Sequence, residues 1–243
     1  MENVKHMSVF ATMLLIMLFA APAGAGAQLS WQDNFDYPPG PLYGQGQWVR
    51  YASNPNSPIQ VVDETLDFEG YPGGVKGRSV ELGPDATAED LIARFDPNDE
   101  GVKTGTLYYS ALVNVEEVPS GPIYVMSLVV RTKSSVVADG KSGTELGRLY
   151  VDKADEEGKY RLGVERGASD PSFAPQTFST GETYLVVVKY EIGAAGARLD
   201  GVSLFVNPAS YTEEPAEADA AIDPNKSGSG VGNYGLQGIE LRQ

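Results

Sequence analysis

An all-β fold, two antiparallel sheets stacked as a sandwich, is predicted by three observations. Short segments rich in Val, Leu, Tyr and Thr recur between clusters of Gly, Pro, Asn and Asp, the pattern of strands joined by turns. No apolar pattern with a 3.6-residue period runs long enough to make a helix. Several runs, YLVVV among them, are apolar at successive positions, as strands covered on both faces require.

Taken in order, short strands are expected at 60–62, 65–69, 79–82 and 91–95. Clearer ones follow at 106–115 (TLYYSALVNV), 123–132 (IYVMSLVVRT), 146–153, 160–166, 183–192 (TYLVVVKYEI), 202–207 (VSLFVN) and 236–242. Residues 154–158 (ADEEG) read as a hairpin turn with its acids in water. Residues 210–232 combine acids, two prolines and a Gly/Ser tract with few large apolar residues, and are expected to form a long polar surface loop. Its carboxylates are of the kind calcium takes, but no D-x-D-x-D-G spacing is present. The cofactor expectation is therefore none, with calcium left open.

Residues 1–27 read as a signal peptide. Lys5 precedes an apolar run from Val9 to Ala20, and Ala25-Gly26-Ala27 has the small-x-small form of a signal-peptidase site. The run is shorter than the roughly 20 residues that span a bilayer, so no membrane span is expected. The chain should be secreted or periplasmic, cut near Ala27, with residues 28–243 forming one domain around one core.

Composition excludes more than any motif supplies. The formal net charge is -15 and is unchanged by removal of the leader, which holds one acid, Glu2, and one base, Lys5. A surface that acidic repels nucleic acid and polyanionic glycans and leaves neutral glycans, or an extracellular partner protein, as the favoured partners. There is no cysteine, so stability rests on packing alone. The single histidine, His6, lies in the leader, which removes Ser-His-Asp, Cys-His and His-ligated metal chemistry from the domain.

Five stretches, DNFDYPPGPLYGQGQW, GTLYYSALVNV, TYLVVVKYEI, VSLFVNP and GLQGIELRQ, together resemble an exported bacterial branch of the concanavalin A-like lectin/glucanase superfamily. The resemblance implies a laminin G-like jelly roll in which a first strand near residues 34–37 pairs close to the last, near 239–242. It also implies a test for catalysis at VDETLDFEG, residues 62–70. In the hydrolase branch a nucleophile, an assisting Asp and an acid/base Glu alternate along one strand and share one face. Here Asp67 and Glu69 share a face, but Glu64 is an odd number of residues away and Thr65 holds the nucleophile's place. Only a β-bulge would restore Glu64 to that face. Solvated acids are the favoured reading, and hydrolysis through Asp67 and Glu69 is the alternative.

Lyase chemistry on Tyr and Arg has candidates in Lys189, Tyr190, Arg131, Arg148 and Tyr150, although adjacent residues such as Lys189 and Tyr190 face opposite ways on a strand. Binding without chemistry asks only for aromatic faces and a few hydrogen-bonding side chains. The candidates are Trp48, Tyr51, Tyr71 and Arg131, with core packing the competing account of Trp48. The function expected is therefore a monomeric, non-catalytic, carbohydrate-binding or adhesive module, with a purely structural or assembly role as the third reading.

Overall fold

A computed structural model describes residues 9–17, 28–52, 57–71, 77–83, 89–95, 101–130, 144–167, 169–193, 200–210, 213–225, 230–231 and 235–243. Among them there is no helix, and therefore none long and apolar enough to cross a membrane. The strands in chain order are β1 (Val9–Met17), β2 (Gln28–Asp33), β3 (Gly40–Pro41), β4 (Val49–Ala52), β5 (Gln60–Val62), β6 (Ser79–Leu82) and β7 (Asp90–Arg94). Next come β8 (Gly105–Val115), β9 (Ile123–Val130), β10 (Thr144–Lys153), β11 (Lys159–Glu165) and β12 (Ser172–Phe173). The last are β13 (Phe178–Ser179), β14 (Thr183–Ile192), β15 (Gly201–Val206), β16 (Ala220–Ile222) and β17 (Leu236–Leu241).

They form two antiparallel sheets. The nine-stranded sheet runs β16-β15-β14-β8-β1-β6-β5-β3, with β2 on β1; the eight-stranded sheet runs β12-β11-β10-β9-β17-β7-β4, with β13 on β11. One core fills the space between them. On β8 the alternation sends Leu107, Tyr109, Ala111, Val113 and Val115 inward, and β14 contributes Val186, Val188 and Tyr190. Leu128, Leu149, Leu162 and Ile239 answer from the other sheet. With no disulfide available, this interdigitated apolar layer is what holds the fold.

The seven clear strands fall where the pattern puts them, and three expectations are corrected. Residues 65–69 form no strand; Leu66 packs with Tyr71 against Leu112 and Leu185, with Phe68 beside them, on the outward face of the nine-stranded sheet. Their alternation reflects a flap laid on a sheet, which has the same period as a strand within one. Residues 34–37 do not pair with the last strand. Phe35 turns at φ 51, its amide donates to Asp33 Oδ1 at 2.8 Å, and the Tyr37 amide donates to the Phe35 carbonyl at 2.7 Å, so the chain leaves the sheet there. Both edges of β17 are taken by β7 and β9. Within 210–232, Ala220–Ile222 joins the sheet as β16, which pairs with β15.

The apolar run read as the core of a leader supplies β1, seated between β8 and β6. The expected cleavage site at Ala27 lies outside the described residues.

Candidate functional site

The outward face of the eight-stranded sheet gathers charge and aromatic rings into one patch. Three register lines build it. Tyr124 on β9 is opposite Tyr150 on β10, Tyr150 is opposite Gly163 on β11, and Gly163 is opposite Phe173 on β12. Partners directly opposite in an antiparallel pair face the same way. Glycine leaves a gap in the line that Phe173 covers: a Cβ on Gly163 would meet Phe173 Cδ1 at 2.5 Å. The rings therefore stand in a row, Tyr124 to Tyr150 at 5.8 Å and Tyr150 to Phe173 at 6.4 Å between centroids, all three partly exposed.

The second line pairs Arg148 with Glu165 and the third Asp152 with Arg161. Arg148 Nη1 reaches Glu165 Oε2 at 3.0 Å and its Nη2 reaches Glu145 Oε2 at 3.2 Å. Tyr150 donates to the same Glu165 oxygen at 2.7 Å, the Ser169 amide donates to Glu165 Oε1 at 3.0 Å, and Tyr51 donates to Glu145 Oε1 at 2.6 Å. Arg161 pairs with Asp152 and lies over Phe173, its guanidinium carbon 4.7 Å from the ring centre. Arg148 and Arg242 both lie over Tyr124, at 4.6 and 4.3 Å. Cation–π contact of this kind holds the guanidinium groups flat against the rings.

Backbone irregularity makes this convergence. The β9–β10 register shifts twice, between Leu146 and Leu149 and again between Leu149 and Tyr150. Gly147 sits in the first shift at φ 57, where a Cβ would meet the Tyr190 ring at 2.8 Å. The extra residue keeps Leu146 and Leu149 in the core while Glu145, Arg148 and Tyr150 stay on the outer face.

Beside the ionic lines lies a buried acid pair. Glu240 on β17 is fully buried, opposite Ser127 and Ile92, and accepts from the Ser127 hydroxyl. Its Oε1, like Asp90 Oδ1, has no hydrogen-bond partner among the described residues. Burial pushes Glu240 up to about 8; Glu145 and Asp90 add to the rise, while Ser127 and Arg242 oppose it. Burial likewise raises Asp90 to about 6, against the pull of Arg242. Tyr150 is pushed up to about 12 by burial and by its bond to Glu165. Arg148 is held above its ordinary value: burial works against its charge, and Glu165 more than offsets that.

The residues expected to carry function are spread over the molecule. Tyr51 joins the patch through Glu145. Trp48 is fully buried, stacked on Phe35 and donating through Nε1 to Asp33 Oδ2 at 2.8 Å, so it offers no face to a ligand. Tyr71 lies in the flap cluster on the opposite side of the sandwich. Glu64, Asp67 and Glu69 are exposed in a segment without regular structure. Arg131 lies outside the described residues. Lys189 and Tyr190 point opposite ways: Lys189 pairs with Glu214 and Glu191, while the Tyr190 hydroxyl donates to Asp200 inside the core.

Sequence reasoning saw Arg148 and Tyr150 only as separate strand residues and Tyr124 only as part of the strand at 123–132, and missed Asp90, Glu145, Glu165, Phe173 and Glu240. A signal existed in GLQGIELRQ, where an acid interrupts an apolar strand, and in AEDLIAR, where acids lead directly into one. Among the described residues no group of three or more Asp, Glu, His or Cys side chains is placed to hold a metal ion. No protein-family model matches the chain, and no curated protein matches it in sequence.

Proposed function

We propose that this chain is an exported, non-catalytic β-sandwich of the concanavalin A-like type that binds neutral carbohydrate on the outward face of its eight-stranded sheet. The observation that carries the reading is the cross-strand row Tyr124, Tyr150 and Phe173, partly exposed and held by ion-paired arginines. Aromatic faces stack on the C–H faces of pyranose rings, and fixed hydrogen-bonding groups beside them select hydroxyl patterns. The patch supplies such groups in the part-exposed Glu145 and Arg148, which the buried Tyr51 and Glu165 hold in place. A net charge of -15 favours a neutral glycan over an anionic one.

Non-catalytic use agrees with the placement of the acids. Glu240 has no exposed surface from which to reach a glycosidic oxygen, and Asp67 and Glu69 stand in solvent on a loop. The test is a glycan array with the purified protein, with and without calcium, alongside reducing-sugar release from the same neutral polysaccharides. Binding without release, lost in Tyr150→Ala and Phe173→Ala, supports the reading. Sugar release abolished by Glu69→Gln would replace it with hydrolysis, and no glycan bound at all would turn attention to an assembly role.

A further inference from the structure

The seat of β1 raises a separate question, which rests on the export reading above. β8 pairs with β1 from Val9↔Val115 to Leu14↔Ser110. On the other edge β6 pairs with it from Val9↔Leu82 to Ala11↔Val80, and β2 follows along that same edge from Met13↔Asp33. Without β1 the sheet divides into β16-β15-β14-β8 and β6-β5-β3, and β2 keeps no strand partner among the described residues. Val113 and Val115 of β8 and Val80 and Leu82 of β6 are buried core residues. A chain cut after Ala27 would thus leave two open strand edges over its own core, an arrangement that natural proteins cover or otherwise protect.

We propose that β1 is a placeholder: cleavage after Ala27 frees Gln28–Asp33 to swing about Asp33 into the seat between β8 and β6. Asp33 is a fixed pivot, since its carboxylate accepts from Trp48 Nε1 at 2.8 Å, the Tyr37 hydroxyl at 2.7 Å and the Phe35 amide at 2.8 Å. With Asp33 held at the level of Met13, reversal sets Trp31 between Val113 and Val80, and Leu29 between Val115 and Leu82. Ser30 then falls between Asn114 and Glu81.

The sequence of β2 matches that register. Its apolar residues meet core positions, its serine meets the two polar ones, and Trp31 already packs against the core, so the alternation keeps its face. The reversed strand is antiparallel to both neighbours, as β1 is. In the uncut chain the covalent link between β1 and β2 is a tie that keeps the two strands paired, from Met13↔Asp33 to Met17↔Gln28. Cutting that tie is what releases it.

The chain has no cysteine, so one engineered pair reports one contact. Full-length Ser30→Cys/Asn114→Cys is produced in an exporting host, and the forms beginning at Met1 and at Gln28 are separated and identified by mass. Before cleavage Ser30 lies near Leu15 and Ile16 while Asn114 lies beside Phe10, roughly 17 Å apart along the strand at about 3.4 Å per residue. That is far beyond disulfide reach. Mild oxidation should leave both thiols free in the uncut form and consume both, within one chain, in the cut form.

A cut monomer that keeps its thiols overturns the strand exchange alone. A disulfide between two copies overturns it in favour of a second molecule in the seat. A protein found only with Met1 intact overturns the export reading and this inference with it. Hydrogen exchange in the unsubstituted cut form is the companion measurement: amides of residues 105–115 should stay as protected as in the uncut chain, and a tenfold or greater loss of protection there would mean an empty seat.

Discussion

The two outward faces of this sandwich solve the same problem by opposite means. On the nine-stranded sheet, Leu112 and Leu185 face outward and are covered by the flap residues Leu66 and Tyr71, an apolar cluster that merely extends the core. On the eight-stranded sheet a smaller apolar cluster of Tyr51, Ile92 and Val129 shares the outward face with Asp90, Glu145, Arg148, Tyr150, Glu165 and Glu240, several of them buried and Glu145, Arg148, Tyr150 and Glu165 tied into one ionic and aromatic lattice. Burying charge is costly unless it is paired. A face that keeps such residues when an apolar cover serves equally well for stability is the face on which to look for binding.

The comparison is broken most sharply by Glu165→Ala. That change removes the partner of Arg148 Nη1, Tyr150 and the Ser169 amide together, leaving the guanidinium with Glu145 as its remaining carboxylate partner. Chemical denaturation should show a loss of about 3–5 kcal/mol, with glycan binding lost as well. Leu66→Ala strikes the other face. It should lower stability by about 2–4 kcal/mol through the cavity it opens and leave glycan binding unchanged; a binding defect there would move the functional face.

Glu240→Gln tests the acid pair through pH. Because burial raises Glu240 from 4.5 to about 8, the folded state holds its proton more tightly than the unfolded one. Its contribution is therefore fully present below about pH 4.5 and is lost as pH rises to about 8. Asp90, raised from 3.8 to about 6, adds a loss across the lower window. Stability of the unsubstituted protein should fall by about 1–3 kcal/mol between pH 5 and 8, an order-of-magnitude figure, and Glu240→Gln should flatten that fall. Denaturation curves across the range decide it. Lys189→Met gives the smallest effect: its ion pairs with Glu191 and Glu214 lie at the surface of the other sheet, and a change beyond about 0.5 kcal/mol would show the surface network to be stronger than such pairs usually are.

Local pattern made seven strands legible, because a long segment such as 183–192 cannot bury its apolar residues except in a sheet. It failed at 65–69, where Leu66 and Phe68 alternate for the sake of a flap, since period alone does not say whether a backbone finds ladder partners. The site was legible only in fragments. Tyr124, Tyr150 and Phe173 form one row because three strand pairings and the missing side chain of Gly163 align them, and residues so far apart in sequence carry no mark of that alignment.

By itself the sequence determined the all-β class, the reliance on packing without disulfides, the formal net charge of -15 and the absence of histidine chemistry from residues 28–243. Each of these follows from composition and short-range periodicity, which act one residue or one strand at a time. Tertiary structure decided which strands became neighbours, that the run from Val9 to Met17 sits between β8 and β6, and that Glu240 is buried beside Asp90. Those outcomes depend on register between distant segments, where a shift of a single residue would turn every side chain to the other face.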